Sequence, residues 1–270
     1  MESDDDASLR LARIVLARRR AAQPVDAAHG DLHLPDMSAA YRVQAAAERI
    51  LVDEHGFVPI GYKIGATNAG SRDLLKVTTP FFGRLFRATT TASPARLPPA
   101  PDFFRVHEAE IALQIDRDLP PSGAPYDAAA IAAATRAVLP AIEIVGTWLT
   151  PWTQGGGTNI VADNAAHGRW IIGAPTTDFS QLDLLDAPIT FTVNGDIKAT
   201  GKGRNVDGGP FGATAWLANA LAKLGRSLRA GDYVTTGTVI PPFPVAAGQD
   251  VTADFGPLGQ VTLHIEAERT

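Results

Sequence analysis

The 270-residue sequence contains no cysteine. Disulfides, thiolate metal sites, zinc ribbons and cysteine nucleophiles are excluded, so any metal must be held by oxygen or nitrogen ligands. Basic charge is also in deficit: 24 Lys and Arg against 29 Asp and Glu give a formal net charge of -5. A nucleic-acid or anionic-membrane partner needs a clustered basic surface, and neither partner is expected. No apolar run reaches the roughly 18 residues that suggest a membrane span. The acidic start, residues 1–10, lacks the basic-then-apolar layout of a signal peptide, and a cytoplasmic protein is expected. What remains is an ordinary globular composition, 45% hydrophobic and 20% charged, able to bury a sizeable core.

Leu9, Ala12 and Leu16, with Leu11 and Val15 alongside, recur at helical spacing and predict a helix over residues 8–21. Acid at Asp4, Asp5 and Asp6 and base at Arg18, Arg19 and Arg20 suit the helix dipole and read as a solvated surface. A Pro- and His-containing linker spans 24–35. Ser38 is then the expected N-cap of a second helix, with Val43, Ala47, Ile50 and Leu51 on its buried face and Gly56 as its stop. Residues 1–60 are therefore expected to form a small helical region.

The texture changes after Pro59. Short strands are expected at 105–115, 138–149, 169–173, 188–194, 233–240 and 250–266. Asn194-Gly195 is a hairpin signal, and Gly256-Pro-Leu-Gly259 a tight turn between two strands. Helices are expected at about 127–137 and at 213–224. Strands and helices do not alternate regularly, which argues against a doubly wound parallel sheet. The expected fold class is α+β: a mixed, largely antiparallel β-roll or barrel with flanking helices.

The chemistry concentrates in three places. Along Arg105-Val-His-Glu-Ala-Glu-Ile-Ala-Leu-Gln-Ile115, alternation puts His107, Ala109, Ile111, Leu113 and Ile115 on an apolar face and Glu108, Glu110, Ala112 and Gln114 on the other. Two carboxylates on one strand face can converge on a cation, or they can form a wet acidic surface. Val138-Leu-Pro-Ala-Ile-Glu-Ile-Val-Gly-Thr-Trp148 holds a single carboxylate, Glu143, in a nearly continuous apolar run. Burying it is costly unless it is paired or metal-bound; the alternative is an edge strand with Glu143 facing water. Three Glu side chains without Cys suit a hard cation, Mg2+ or Mn2+. Third, Lys63 sits between glycines in Gly61-Tyr-Lys-Ile-Gly-Ala-Thr67. It is either a solvent-facing strand lysine or, beside a metal pocket, an acid/base whose proton affinity is lowered.

Gly61-Tyr-Lys-Ile-Gly65, Glu108-Ala-Glu110, Ala141-Ile-Glu-Ile-Val145, Ala162-Asp-Asn164, Trp216-Leu-Ala-Asn219, Ala230-Gly-Asp232, Thr236-Gly-Thr238 and Ala253-Asp-Phe-Gly-Pro-Leu-Gly259 occur in one order. Together they resemble the 2-keto-4-pentenoate hydratase and 4-oxalocrotonate decarboxylase family, within the fumarylacetoacetate hydrolase superfamily. The resemblance covers nearly the whole chain. It implies that 61–270 is a catalytic β-roll domain, with a Mg2+ or Mn2+ ion on Glu108, Glu110 and Glu143, an active-site Lys63, and a homo-oligomer. It also implies a small 2-oxo or enol acid substrate. A 2-hydroxy-2,4-dienoate would chelate the ion through its carboxylate and 2-oxygen, and Lys63 would help move a proton from the 2-hydroxyl towards C5. Water addition at C4 then gives a 4-hydroxy-2-oxo acid. Thr67, Phe81, Asp163 and Thr238 are expected to bind substrate.

The sequence departs from the family pattern at two points. Phe81 stands where an Asp is expected, removing a carboxylate. Ala165-Ala-His167 follows Asp163-Asn164, and His167 is a replacement acid/base or a turn histidine that only hydrogen-bonds. The glycine-rich 153–158 segment is a lid or a connection. The leading expectation is a hydratase; the others are a sibling decarboxylase or C–C hydrolase, and a relative that binds metal and ligand without turnover. Dinucleotide and phosphate-loop spacing, a zinc-protease helix and a Gly-x-Ser-x-Gly elbow are absent.

Overall fold

The computed structural model describes residues 3–268 except 22, 28, 29, 31, 101 and 102. Its helices are α1 (Asp4–Ala21), α2 (Met37–Asp53), α3 (Ala69–Leu75), α4 (Ala128–Ala133), α5 (Gly157–Ala162) and α6 (Gly209–Lys223). The strands are β1 (Val25–Asp26), β2 (Pro59–Gly65), β3 (Phe81–Phe86), β4 (Thr90–Ala92), β5 (Ala95–Leu97), β6 (Phe104–Ile115) and β7 (Thr135–Gly146). They continue with β8 (Leu149–Thr150), β9 (His167–Ile172), β10 (Pro188–Val193), β11 (Asp196–Lys202), β12 (Tyr233–Thr235), β13 (Asp250–Asp254) and β14 (Gln260–Ile265).

Helix α2 begins at Met37 because Asp36, extended after Pro35, accepts a hydrogen bond from the Ala39 amide at 2.8 Å. The cap is therefore Asp36, not Ser38, whose hydroxyl accepts from Arg42 instead. The expected Ala-rich helix at 127–137 is cut to Ala128–Ala133, because the chain joins the sheet at Thr135 and sheet pairing overrides alanine propensity. The strand expected at 233–240 ends at Thr235, where Gly237 turns the chain at φ +102°. The Asn194-Gly195 hairpin forms as expected, with both residues left-handed (φ 52° and 86°) between β10 and β11.

Seven strands form a curled mixed sheet in the order β3-β2-β12-β6-β7-β9-β4, in which only β2–β12 and β4–β9 are parallel. A five-stranded sheet runs β11-β10-β13-β14-β5. One apolar core joins the sheets: Ile111 and Leu113 of β6 pack in the same cluster as Phe191, Val251 and Val261. Burial of each such large side chain contributes about 1.5–3 kcal/mol. A second core ties Ala12 and Val15 of α1 and Val43 and Ile50 of α2 to Phe81, Val145 and Ile160. Strand β7 lies inside the sheet between β6 and β9, so Glu143 is on no edge. The basic end of α1 is solvated only in part: Arg20 is exposed, as expected. Arg19 turns inward and pairs with buried Asp163 at 2.5 Å.

Candidate active site

The site is set by register. Antiparallel pairing of β6 and β7 places Glu108 directly opposite Glu143 and Glu110 opposite the small Ala141. One oxygen from each of the three glutamates lies within 4.8 Å of the others. Glu110 and Glu143 are fully buried and Glu108 is half-buried. Burial, then mutual repulsion with Glu143, pushes Glu108 and Glu110 up to about 8, and burial raises Glu143 as well.

Two of the glutamates are held by neighbours. Glu110 Oε2 accepts from the Thr235 hydroxyl and from the Gly237 amide at 3.0 Å, while its Oε1 has no hydrogen-bond partner among the described residues. Glu143 Oε1 lies 2.9 Å from His167 Nδ1, and Oε2 is 3.2 Å from Lys63 Nζ. Burial and the cations Lys63, Arg19 and Arg169 hold His167 well below its ordinary pKa, so the imidazole is neutral and Nδ1 donates to the carboxylate. On the other face His107 is buried in the core, as alternation predicted, and burial lowers it to about 4.

Lys63 projects from β2, between Thr235 of β12 and Gly83 of β3. Its ammonium donates to the Ala165 carbonyl at 3.1 Å. Burial pulls its proton affinity down, but the three carboxylates push it up further, and the net shift is upward. The expectation of a lowered lysine is corrected: in this setting Lys63 is a held cation. Once all three glutamates are ionised, three carboxylates against one ammonium leave two negative charges in a buried space. A divalent cation supplies that balance, and the oxygen-only donor set with an unpartnered Glu110 Oε1 fits it.

The turn after α5 completes the wall. Asn164, Ala165 and Ala166 are successively left-handed, with φ of 51°, 54° and 56°, a conformation costly for alanine. The turn aims the Ala165 carbonyl at Lys63 and starts β9 with His167 against Glu143. The Asn164 side chain anchors it, accepting from the Arg84 amide at 2.6 Å and donating to the Arg84 carbonyl at 2.9 Å.

A cavity of about 40 Å3 opens on this cluster, lined among others by Lys63, Thr67, Phe81, Glu108, Trp152 and Thr238. Of the residues expected to meet substrate, Thr67, Phe81 and Thr238 are here. Asp163 is not: it accepts from Arg19 and from Thr147 Oγ1, each at 2.5 Å. His167 backs Glu143 from the side of a different cavity. Thr235, Gly237, Ala165 and Trp152 were not singled out in the sequence. Thr235 and Gly237 flank or lie within the Thr236-Gly-Thr238 motif, a usable signal; Ala165 stands in the segment that departs from the family pattern, and Trp152 carries no signal.

The profile of the fumarylacetoacetate hydrolase C-terminal domain matches residues 67–266. The chain belongs to this family. Among curated relatives, the 2-keto-4-pentenoate hydratase of Paraburkholderia phymatum is 34% identical over 226 residues, covering 84% of this chain and 85% of that protein. The 2-hydroxyhexa-2,4-dienoate hydratase of Comamonas testosteroni is 34% identical over 228 residues, 83% of this chain and 79% of its own. Among solved structures, the 4-oxalocrotonate decarboxylase of Pseudomonas putida G7, complexed with magnesium and adipate, superposes with a TM-score of 0.88 at 25% identity. That match covers 96% of this chain and 97% of the other. No helix among the described residues is long and apolar enough to cross a membrane.

Proposed function

We propose that this protein is a divalent-metal-dependent hydratase that adds water to a 2-hydroxy-2,4-dienoate and yields a 4-hydroxy-2-oxo acid. The observation that carries the proposal is the convergence of Glu108, Glu110 and Glu143 on one point beside the Lys63 ammonium. The names of the curated relatives give the substrate class. Glu108, Glu110 and Glu143 would hold Mg2+ or Mn2+, which supplies Lewis-acid stabilisation of negative charge on the substrate's 2-oxygen.

The chain's own groups supply the rest. Lys63 carries a proton at Nζ and is fixed by the Ala165 carbonyl, so it is placed to shuttle a proton between the 2-hydroxyl and C5. Thr67 and Thr238, with Ser71, line the cavity with hydroxyls placed to orient the head of the substrate or the entering water. Phe81 offers neither donor nor acceptor and excludes water from its side of the pocket. His167 orients Glu143 and acts as a positioning residue. The cavity, about 40 Å3, admits an ion with a water or two, so a five-carbon acid requires part of the wall to move.

The likeness to a decarboxylase structure keeps one sibling chemistry in view, decarboxylation of a 2-oxo-3-enedioate. Incubation of the protein and Mg2+ with 2-hydroxypenta-2,4-dienoate decides. We expect loss of dienol absorbance matched by 4-hydroxy-2-oxopentanoate, and a loss of about a hundred- to a thousandfold in Glu143→Ala, as when a charge-stabilising group is removed. Carbon dioxide release from 4-oxalocrotonate without dienoate hydration favours the sibling, and ligand binding with neither turnover rejects an enzyme.

A further inference from the structure

A second cavity, about 510 Å3, lies between α1, α2 and β9 and, among the described residues, shares no lining residue with the carboxylate pocket. Its size and make-up are those of a small-molecule site rather than a packing defect. Val15, Ala47, Leu51, Phe86 and Phe103 form an apolar interior. The charges around it are unequal. Glu48 is consumed by Arg84 at 2.7 Å and Arg226 at 2.9 Å, and Arg19 by Asp163 at 2.5 Å. Arg20 rests 3.3 Å from His55 Nε2, and Arg169 donates to the Ala88 carbonyl at 3.3 Å. Among the described residues neither of these two guanidinium groups pairs with a carboxylate. Burial and the nearby Arg19 charge pull Arg169 below its ordinary pKa, as expected of a cation short of a counter-ion.

We propose that this cavity is a second binding site, distinct from the metal pocket, for a monoanionic organic acid with a flat or short apolar body. The apolar walls take the body, and Arg20 and Arg169 take the anionic head, the arrangement in which charge-assisted hydrogen bonds are strongest. A neutral ligand leaves the two cations uncompensated, and a second anionic group on the body of the ligand would lie unpaired against the apolar walls.

The probe is 8-anilinonaphthalene-1-sulfonate, titrated by fluorescence into the full chain with Mg2+ present. We expect one saturable site per chain, displaced by benzoate but not by benzyl alcohol or oxalate. Leu51→Trp, which fills the cavity, should abolish binding. The charge reversals Arg20→Glu and Arg169→Glu together should weaken it at least about tenfold, the loss of one strong charge-assisted contact. Should Leu51→Trp fold poorly, the reversals test the site alone. Displacement by oxalate, unchanged binding in the reversal variant, or no saturable site in the full chain overturns the proposal.

Discussion

At the scale of single residues, the behaviour of the site is a matter of protons. Glu108 and Glu110 stand near 8 in the folded chain against an ordinary 4.5, by burial first and by repulsion second. Between those values the folded state holds protons that the unfolded chain has released. Without a divalent ion, stability therefore falls as pH rises from about 4.5 to 8. A cation binds only the ionised carboxylates, so its stabilising effect grows over the same interval. Thermal unfolding should show a melting temperature in EDTA that is higher at pH 6 than at pH 8. Added Mg2+ should raise it more at pH 8 than at pH 6. A flat profile in EDTA together with no response to Mg2+ would falsify the assignment of the cluster.

His167 gives a second test at this scale. Its Nδ1 holds Glu143, and its Nε2 sits 3.2 Å from the Thr89 hydroxyl. His167→Ala should lower Mg2+ affinity or turnover by about 10–100-fold, the usual effect of losing a group that orients a ligand. His167→Asn should restore part of it, because an amide still donates. Calorimetric Mg2+ titration separates this from proton transfer, which would lower turnover and leave affinity unchanged. The three glutamates were legible in the sequence because alternation and the cost of burying a carboxylate are local facts. Asp163 was not. Its partner Arg19 lies 144 residues away, and nothing near either residue announces the pair.

At the scale of elements, register carries the chemistry. Glu108 faces Glu143 only in the observed pairing of β6 and β7, and a slip of β6 by one residue would send Glu108 and Glu110 to the core face. Alternation along β6 was readable from the chain, and so was the strand character of β7. Its N-terminal boundary was not, since alanine propensity says nothing of where a sheet recruits Thr135. Strand β3, paired with β2 beside Lys63, carries no strict alternation and was not anticipated.

Gly83 of β3 shows how closely the elements meet. A Cβ there would fall 2.4 Å from the Asn164 carbonyl oxygen and 2.9 Å from the Ala165 Cβ. Gly83→Ala must therefore displace the left-handed turn that presents the Ala165 carbonyl to Lys63. We expect a loss of about 1–3 kcal/mol in stability, the usual cost of overpacking, together with reduced turnover. Urea unfolding and steady-state kinetics on one preparation check it; wild-type values in both would show the turn to be free to yield.

At the scale of the whole molecule, the α+β class followed from the irregular order of strands and helices, while the pairing of two sheets through one core depends on contacts far apart in sequence. The link between α1 and the sheet is of the same long-range kind, and it is electrostatic at its centre. Arg19 pairs with Asp163 and also donates to the backbone carbonyls of Asp163, at 3.1 Å, and His167. One side chain from α1 thus anchors both ends of the turn that carries Asn164, Ala165 and Ala166. Arg19→Met keeps the apolar stem and removes the charge, leaving the Asp163 carboxylate buried with only neutral donors near it, the Thr147 hydroxyl and the Trp148 indole. Breaking a buried pair from one side costs about 3–5 kcal/mol. Adding Asp163→Asn should recover much of that, because the uncompensated charge is then gone. Denaturant unfolding of the wild type, both single variants and the double variant closes the cycle. Additive losses would mean that α1 is held by its apolar face alone, while a large coupling would show that the N-terminal helix sets the geometry of the turn at the carboxylate cluster.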